Sequence, residues 1–192
     1  MTDTTLVEEQ YEILDENGNK TGEVLPKSVV HDRELLHGCV LVWIYNNLGE
    51  VLLQLRAKDK KLFPDVWDVS VAGHISVGET PLQSAVREIE EEIGIKVNPA
   101  ELKQVDLCIN VIPLLPDKIH PELCWVYIFH LELDPRELTI QKSELSAVKM
   151  QLISEIQAKR KQPNADEIFA AHTPRIYDKP FNKIEKLLAD LS

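Results

Sequence analysis

The stretch GHISVGETPLQSAVREIEEEIGI, residues 73–95, gathers Glu88, Glu90, Glu91 and Glu92 at the end of one helical pattern. Glu88 stands i,i+3 from Glu91 and i,i+4 from Glu92. Three carboxylates therefore share a face with side chains about 5–6 Å apart. Like charges at that spacing repel, and the negative end of the helix dipole adds a comparable penalty. A divalent cation would offset that cost. Carboxylates are hard ligands suited to Mg²⁺ or Mn²⁺, and Gly73 in the preceding loop can bring a backbone carbonyl to the same ion. Magnesium keeps several waters and favours partners that bring phosphate oxygens, so the implied chemistry is metal-assisted attack of water on a phosphoanhydride. The plainer reading is a solvated acidic face. The glycine-rich loop leading straight into the helix weighs against it.

The elements that must hold these groups are legible around them. Thr80 suits an N-cap, Pro81 the first helical position, and Gln83 completes a capping box. Leu82, Ala85, Val86, Ile89 and Ile93 form an apolar stripe, and Gly94 is a natural stop. Arg87 is i,i+4 from Glu91 and can pair with it. Upstream, two strands flank Asn46-Asn47-Leu48-Gly49, with Val40, Val42 and Ile44 on one face in period two. A charged loop then passes Phe63, Pro64 and Trp67 into a short strand, Val69-Ser70-Val71. Pro64 and Trp67 read as anchors packing on the core, and Trp67 as a second option for stacking on a base. Two strands follow, at 105–112 and 123–133. The segment between them, PLLPDKIHPE, carries three prolines and reads as a loop, with Glu122 an acid at its end. The tail reads as one helix over 143–159 and another over 180–191. Asn17-Gly18-Asn19 marks a hairpin turn in a small antiparallel extension. Strands, a helix, strands and then helices fit a mixed sheet with helices packed on its faces.

Composition bounds the rest. The chain has 192 residues, 44% hydrophobic and 28% charged, which suits one domain. We expect residues 1–30 to form the hairpin extension and 31–192 a single domain. A net charge of -11 repels nucleic acid and invites divalent cations. Cys39, Cys108 and Cys124 form no CxxC pair and lie in apolar runs, which reads as buried free thiols in a reducing compartment. The N-terminus lacks the pattern of a signal peptide, and no apolar run approaches a membrane span, so the expectation is a cytoplasmic protein that binds no membrane. The N-terminal hairpin offers a surface for a homodimer.

Residues 73–95 resemble the signature of the Nudix hydrolase family. Its pattern is met by Gly73, Glu79, Arg87, Glu88, Ile89, Glu91, Glu92, Gly94 and Ile95 without departure. The resemblance implies an α/β/α sandwich in which this box forms a loop-helix-loop. It implies Glu88, Glu91 and Glu92 as metal ligands, Arg87 holding the glutamates in place and Glu79 tying loop to helix. The activity implied is cleavage of a nucleoside diphosphate linked to another group X, or of a related small diphosphate.

A looser resemblance, over residues 36–79, is to type 1 isopentenyl-diphosphate isomerases. It rests on Leu36-His37, Leu53-Gln54-x-Arg56, Lys60-x-x-Phe63-Pro64-x-x-Trp67 and Gly73-His74. The isomerase needs a proton-carrying cysteine just before that Gly-His, and here Ala72 stands there. Glu122, two residues before Cys124, matches an isomerase glutamate and is a candidate extra metal ligand or general base. His37 and His74 fall where isomerase metal ligands sit, with His31 one residue out of register; each also reads as an ordinary hydrogen-bonding residue. Arg56, with Lys58, Lys60 and Lys61, makes a basic island able to steer a diphosphate inward. The catalytic candidates are thus Glu92, Glu91, Arg87 and Glu122, and the substrate-binding candidates Arg56 and His74. Three functions follow: a metal-dependent hydrolase, an isomerase using another residue for the missing cysteine, and a non-catalytic diphosphate sensor.

Overall fold

In the computed structural model, which describes residues 8–115, 118–162 and 167–191, strand β3 (His37–Tyr45) organises the molecule. Its alternation makes the layers. Val40, Val42 and Ile44 face one core beneath α2 (Pro81–Ile93). Cys39, Leu41, Trp43 and Tyr45 face a second core that takes in α3 (Ile153–Arg160) and α4 (Pro174–Ala189). None of the seven is more than 5% exposed, as expected of a strand covered on both faces.

β3 lies parallel to β8 (Lys118–His130), with His37 opposite Glu122. On its other side it lies antiparallel to β6 (Val71–His74), with Cys39 opposite His74. β4 (Glu50–Arg56) pairs with β5 (Trp67–Asp68) and β9 (Leu145–Leu152), and β7 (Lys103–Leu115) pairs with β8. The hairpin of β1 (Gln10–Leu14) and β2 (Lys20–Pro26) turns with Gly18 at φ +81° and joins the sheet where Ile13 meets His37. A short helix α1 (Lys27–Asp32) follows it. The architecture is a mixed sheet between helices, as the sequence pattern suggests. Among the described residues no helix is long and apolar enough to cross a membrane.

α2 carries every device its sequence announces. Thr80 accepts from the Gln83 amide while the Gln83 side chain accepts from the Thr80 amide, and Gly94 closes the helix at φ +76°. The three cysteines are buried and free.

Four expectations need correction. The proline-rich segment 113–122 is not a loop: β7 and β8 run through it, with Pro113 opposite Ile119 and Val111 opposite Pro121. Pro116 and Asp117 lie outside the described residues. β7 is the edge of its hairpin, and Pro121 precedes the point where β8 meets β3, so neither proline costs a ladder bond to a third strand. The first tail segment is β9 followed by α3. Leu55 faces Ala147 but Arg56 faces Leu145, and this bulge shifts the phase by one residue. Leu145, Val148 and Met150 thereby reach one core at helix-like spacing. The last helix starts at Pro174, with Pro180 inside it; the carbonyl of Ile176 that Pro180 cannot serve accepts from the Trp43 indole at 3.0 Å. The strand expected at 69–71 is split, because Ser70 Oγ takes the Ile44 amide at 2.8 Å and donates to Leu52 O at 2.6 Å.

Candidate functional site

The carboxylates of α2 sit in three environments. Glu91 is half exposed and accepts from Arg87 Nη1 at 2.9 Å. Glu88 turns inward onto Gly73: a Cβ at that glycine would lie 2.1 Å from Glu88 Cδ, so residue 73 has no room for a side chain. Glu92 is 4% exposed, and its Oε2 accepts from the Ala72 amide at 3.3 Å and Gln54 at 3.4 Å. Arg87 also donates to Glu88 (2.7 Å), to both Glu79 oxygens and to His74 O, while Ser84 donates to Glu79. One guanidinium thus fastens loop to helix.

Burial raises Glu88 to about 7 against the pull of Arg87, and burial with the neighbouring Glu88 raises Glu92 well above the usual carboxylate range. A cation reverses that preference. Glu88, Glu91, Glu92 and the Gly73 carbonyl are the groups that would hold a hard divalent ion there.

These groups open into a cavity of about 760 Å³. Arg56, Lys60 and Lys61 line it too, as do Cys39, Ala72, Asp68 and His172. Arg56 is no free surface charge: Nε donates to Leu62 O at 3.2 Å and Nη1 lies 3.6 Å from Asp68. Trp67 packs on the second core with Lys149 over its ring at 3.9 Å, which favours the anchoring reading over base stacking.

Glu122 is not an exposed loop-end acid. Because β8 continues through the prolines, it is 6% exposed inside a strand, with Oε1 3.0 Å from His120 Nε2 and 3.3 Å from His74 Nε2. Burial opposes its ionisation, but those two rings hold it well below the usual range. These two rings cluster with His31 and His37, the four placing ligand atoms within 4.8 Å of one another. His37 donates Nδ1–H to Leu35 O, so its Nε2 is a bare lone pair without a partner. Glu9, pressed up by burial, is pulled down to about 2 by hydrogen bonds from Tyr11 and Lys27. Tyr11 therefore donates to Glu9 and accepts from His74 Nδ1, while His74 Nε2 faces Glu122 Oε1. Burial and neighbouring imidazoles lower His31 to about 4 and His37 to about 3. The unpartnered Nε2 of His37 and the three neighbouring imidazoles beside a carboxylate are a donor set for a borderline cation such as Mn²⁺ or Zn²⁺. His120 was missed in the sequence because it fell in the supposed loop; two residues before Glu122 on a strand, it must share that face. Tyr11, Asp68 and His172 carry no local motif.

A family profile for the NUDIX domain matches residues 35–172. The chain belongs to the Nudix hydrolase family. Over 149 residues, 75% of this chain, the Nudix domain is 40% identical to Nudix hydrolase 3 of Arabidopsis thaliana, of which the match spans 19%. It is 37% identical over 106 residues to an isopentenyl-diphosphate Delta-isomerase of Corynebacterium diphtheriae, covering 55% of this chain and 53% of that protein. The chain thus spans about half or less of these two curated relatives. A crystal structure from Deinococcus radiodurans shares the fold at TM-score 0.66 and 17% identity, covering 93% of this chain and 98% of that one. Both resemblances seen in the sequence have counterparts among these relatives. Divalent cations are the family's general cofactors, in keeping with the crowded α2 carboxylates.

Proposed function

We propose that this Nudix domain is a magnesium- or manganese-dependent hydrolase that cleaves the phosphoanhydride of a nucleoside diphosphate linked to X, or of a related small diphosphate. The observation that carries the reading is that Glu88, Glu91 and Glu92 line one cavity together with Arg56, Lys60 and Lys61. A cation held by the three glutamates and the Gly73 carbonyl would supply charge neutralisation and Lewis acidity at the phosphoanhydride. Arg56 and Lys60 receive the anionic end of the substrate. Arg87 keeps Glu88 and Glu91 aligned. Glu92, or Glu122 beyond it, orients a water and takes its proton as the oxygen attacks one phosphorus; the bridging P–O bond breaks and the second phosphate leaves.

A second reading, double-bond isomerisation of a small diphosphate, is favoured by one observation. Ala72 leaves no thiol at the expected place, yet Cys39, on the adjacent strand beside His74, lines the same cavity. One substrate panel with Mg²⁺ tests all readings. Release of nucleoside monophosphate or phosphate supports the hydrolase. Solvent deuterium entering isopentenyl diphosphate supports the isomerase. Tight diphosphate binding without either reaction supports a sensor and overturns the hydrolase.

A further inference from the structure

Behind Arg56 lies a buried polar chain with no part in the chemistry above. Thr173 N–H donates to Asn110 Oδ1 at 3.0 Å. That backbone donor fixes the Asn110 amide, so its Nδ2 faces His172 Nδ1 at 2.9 Å as a donor. His172 Nε2 in turn faces Asp68 Oδ1 at 2.7 Å, and Val69 N–H donates to the same oxygen. Asn110 is 0% and Asp68 2% exposed, and the His172 side chain is 4% exposed. The Asp68 carboxylate favours a charged His172 ring, but Asn110 presents a hydrogen to Nδ1 and leaves a second ring proton no acceptor. The geometry therefore holds His172 neutral with its proton on Nε2.

The consequence falls on Arg56. With Oδ1 pinned by two donors, Asp68 cannot rotate to offer both oxygens to the guanidinium. Its Oδ2 stays 3.6 Å from Nη1: near enough to balance charge, too far for a hydrogen bond. Among the described residues the Arg56 side chain donates only through Nε, to Leu62 O. Its Nη donors stay available to a ligand. Were His172 absent, the carboxylate could turn and capture Arg56 as a bidentate pair.

We propose that His172, set by Asn110 and acting through Asp68, is a positioning residue that keeps Arg56 free to bind the anionic end of a diphosphate. The role rests on the diphosphate reading above. Its test is binding of inorganic pyrophosphate in the presence of Mg²⁺, measured by calorimetry. His172→Asn, which lacks a donor at the Nε2 position, should weaken binding about tenfold. His172→Gln, whose amide nitrogen replaces Nε2–H, should recover most of that loss. In an Arg56→Gln background the His172→Asn effect should vanish, which a merely structural role would not produce. Thermal unfolding confirms that each variant is folded. Two-bond ¹⁵N spectra of labelled histidine should show an Nε2–H neutral ring that disappears in His172→Gln and becomes an imidazolium in Asn110→Asp. Equal pyrophosphate affinity in folded His172→Asn and wild type would overturn the role, as would an imidazolium in the wild type. If wild type neither binds pyrophosphate nor cleaves any diphosphate, the functional reading falls first and takes this role with it.

Discussion

Glu92 is a buried carboxylate whose side chain has, among the described residues, two long donors near it. Glu92→Gln keeps the size and an acceptor oxygen while removing the charge and the proton acceptor. Turnover should drop about 10²–10³-fold, while the cation-free protein should melt no lower than wild type. Steady-state rates beside melting curves check both halves; full activity would remove Glu92 from the mechanism. Gly73 is constrained from the opposite direction. Gly73→Ala places a methyl group where Glu88 now lies, so Glu88 must swing away. Mg²⁺ affinity and rate should fall together while the circular dichroism spectrum stays native.

At the scale of elements, several were legible because local and tertiary signals agreed. α2 has its cap, stripe and stop in the sequence, and it forms where they say. β9 and the ends of β7 and β8 were not legible. A bulge turned a strand's apolar residues into helix-like spacing, and prolines sat where no third strand needed a backbone donor. That error hid the burial of Glu122 and the presence of His120. α4 was only partly readable, because Pro180 is tolerated through a contact 133 residues away in sequence. Trp43→Phe removes the donor to Ile176 O and leaves a small void. It should destabilise the fold by about 2 kcal/mol, read as a lowered midpoint in denaturant titration, with little change in KM.

At the scale of the whole molecule, the site sets a pH dependence. Burial raises Glu88 to about 7 in the fold and pushes Glu92 well above the usual carboxylate range, against 4.5 for an unperturbed glutamate. Groups whose folded pKa is raised lend stability below their unfolded pKa and lose it as pH rises through the folded value. Without a cation, the double variant Glu88→Gln/Glu92→Gln should therefore gain in melting temperature over wild type as pH rises from about 5 to about 8. Added Mg²⁺ should shrink the gap by binding only the wild-type fold. A gap that ignores both pH and Mg²⁺ would contradict this account of the carboxylates.

The sequence by itself determined the α2 helix, the acidic face on it, the glycine beside it and so the family and its cation chemistry, since each lies within 23 consecutive residues at spacings a helix and a tight loop convert directly into geometry. Only the tertiary structure decided which acids are buried, that four histidines converge, two of them on Glu122, and that His172 reaches Asp68 across 104 positions. Strand register and helix docking bring those groups together, and neither is written in the local spacing of the residues they join.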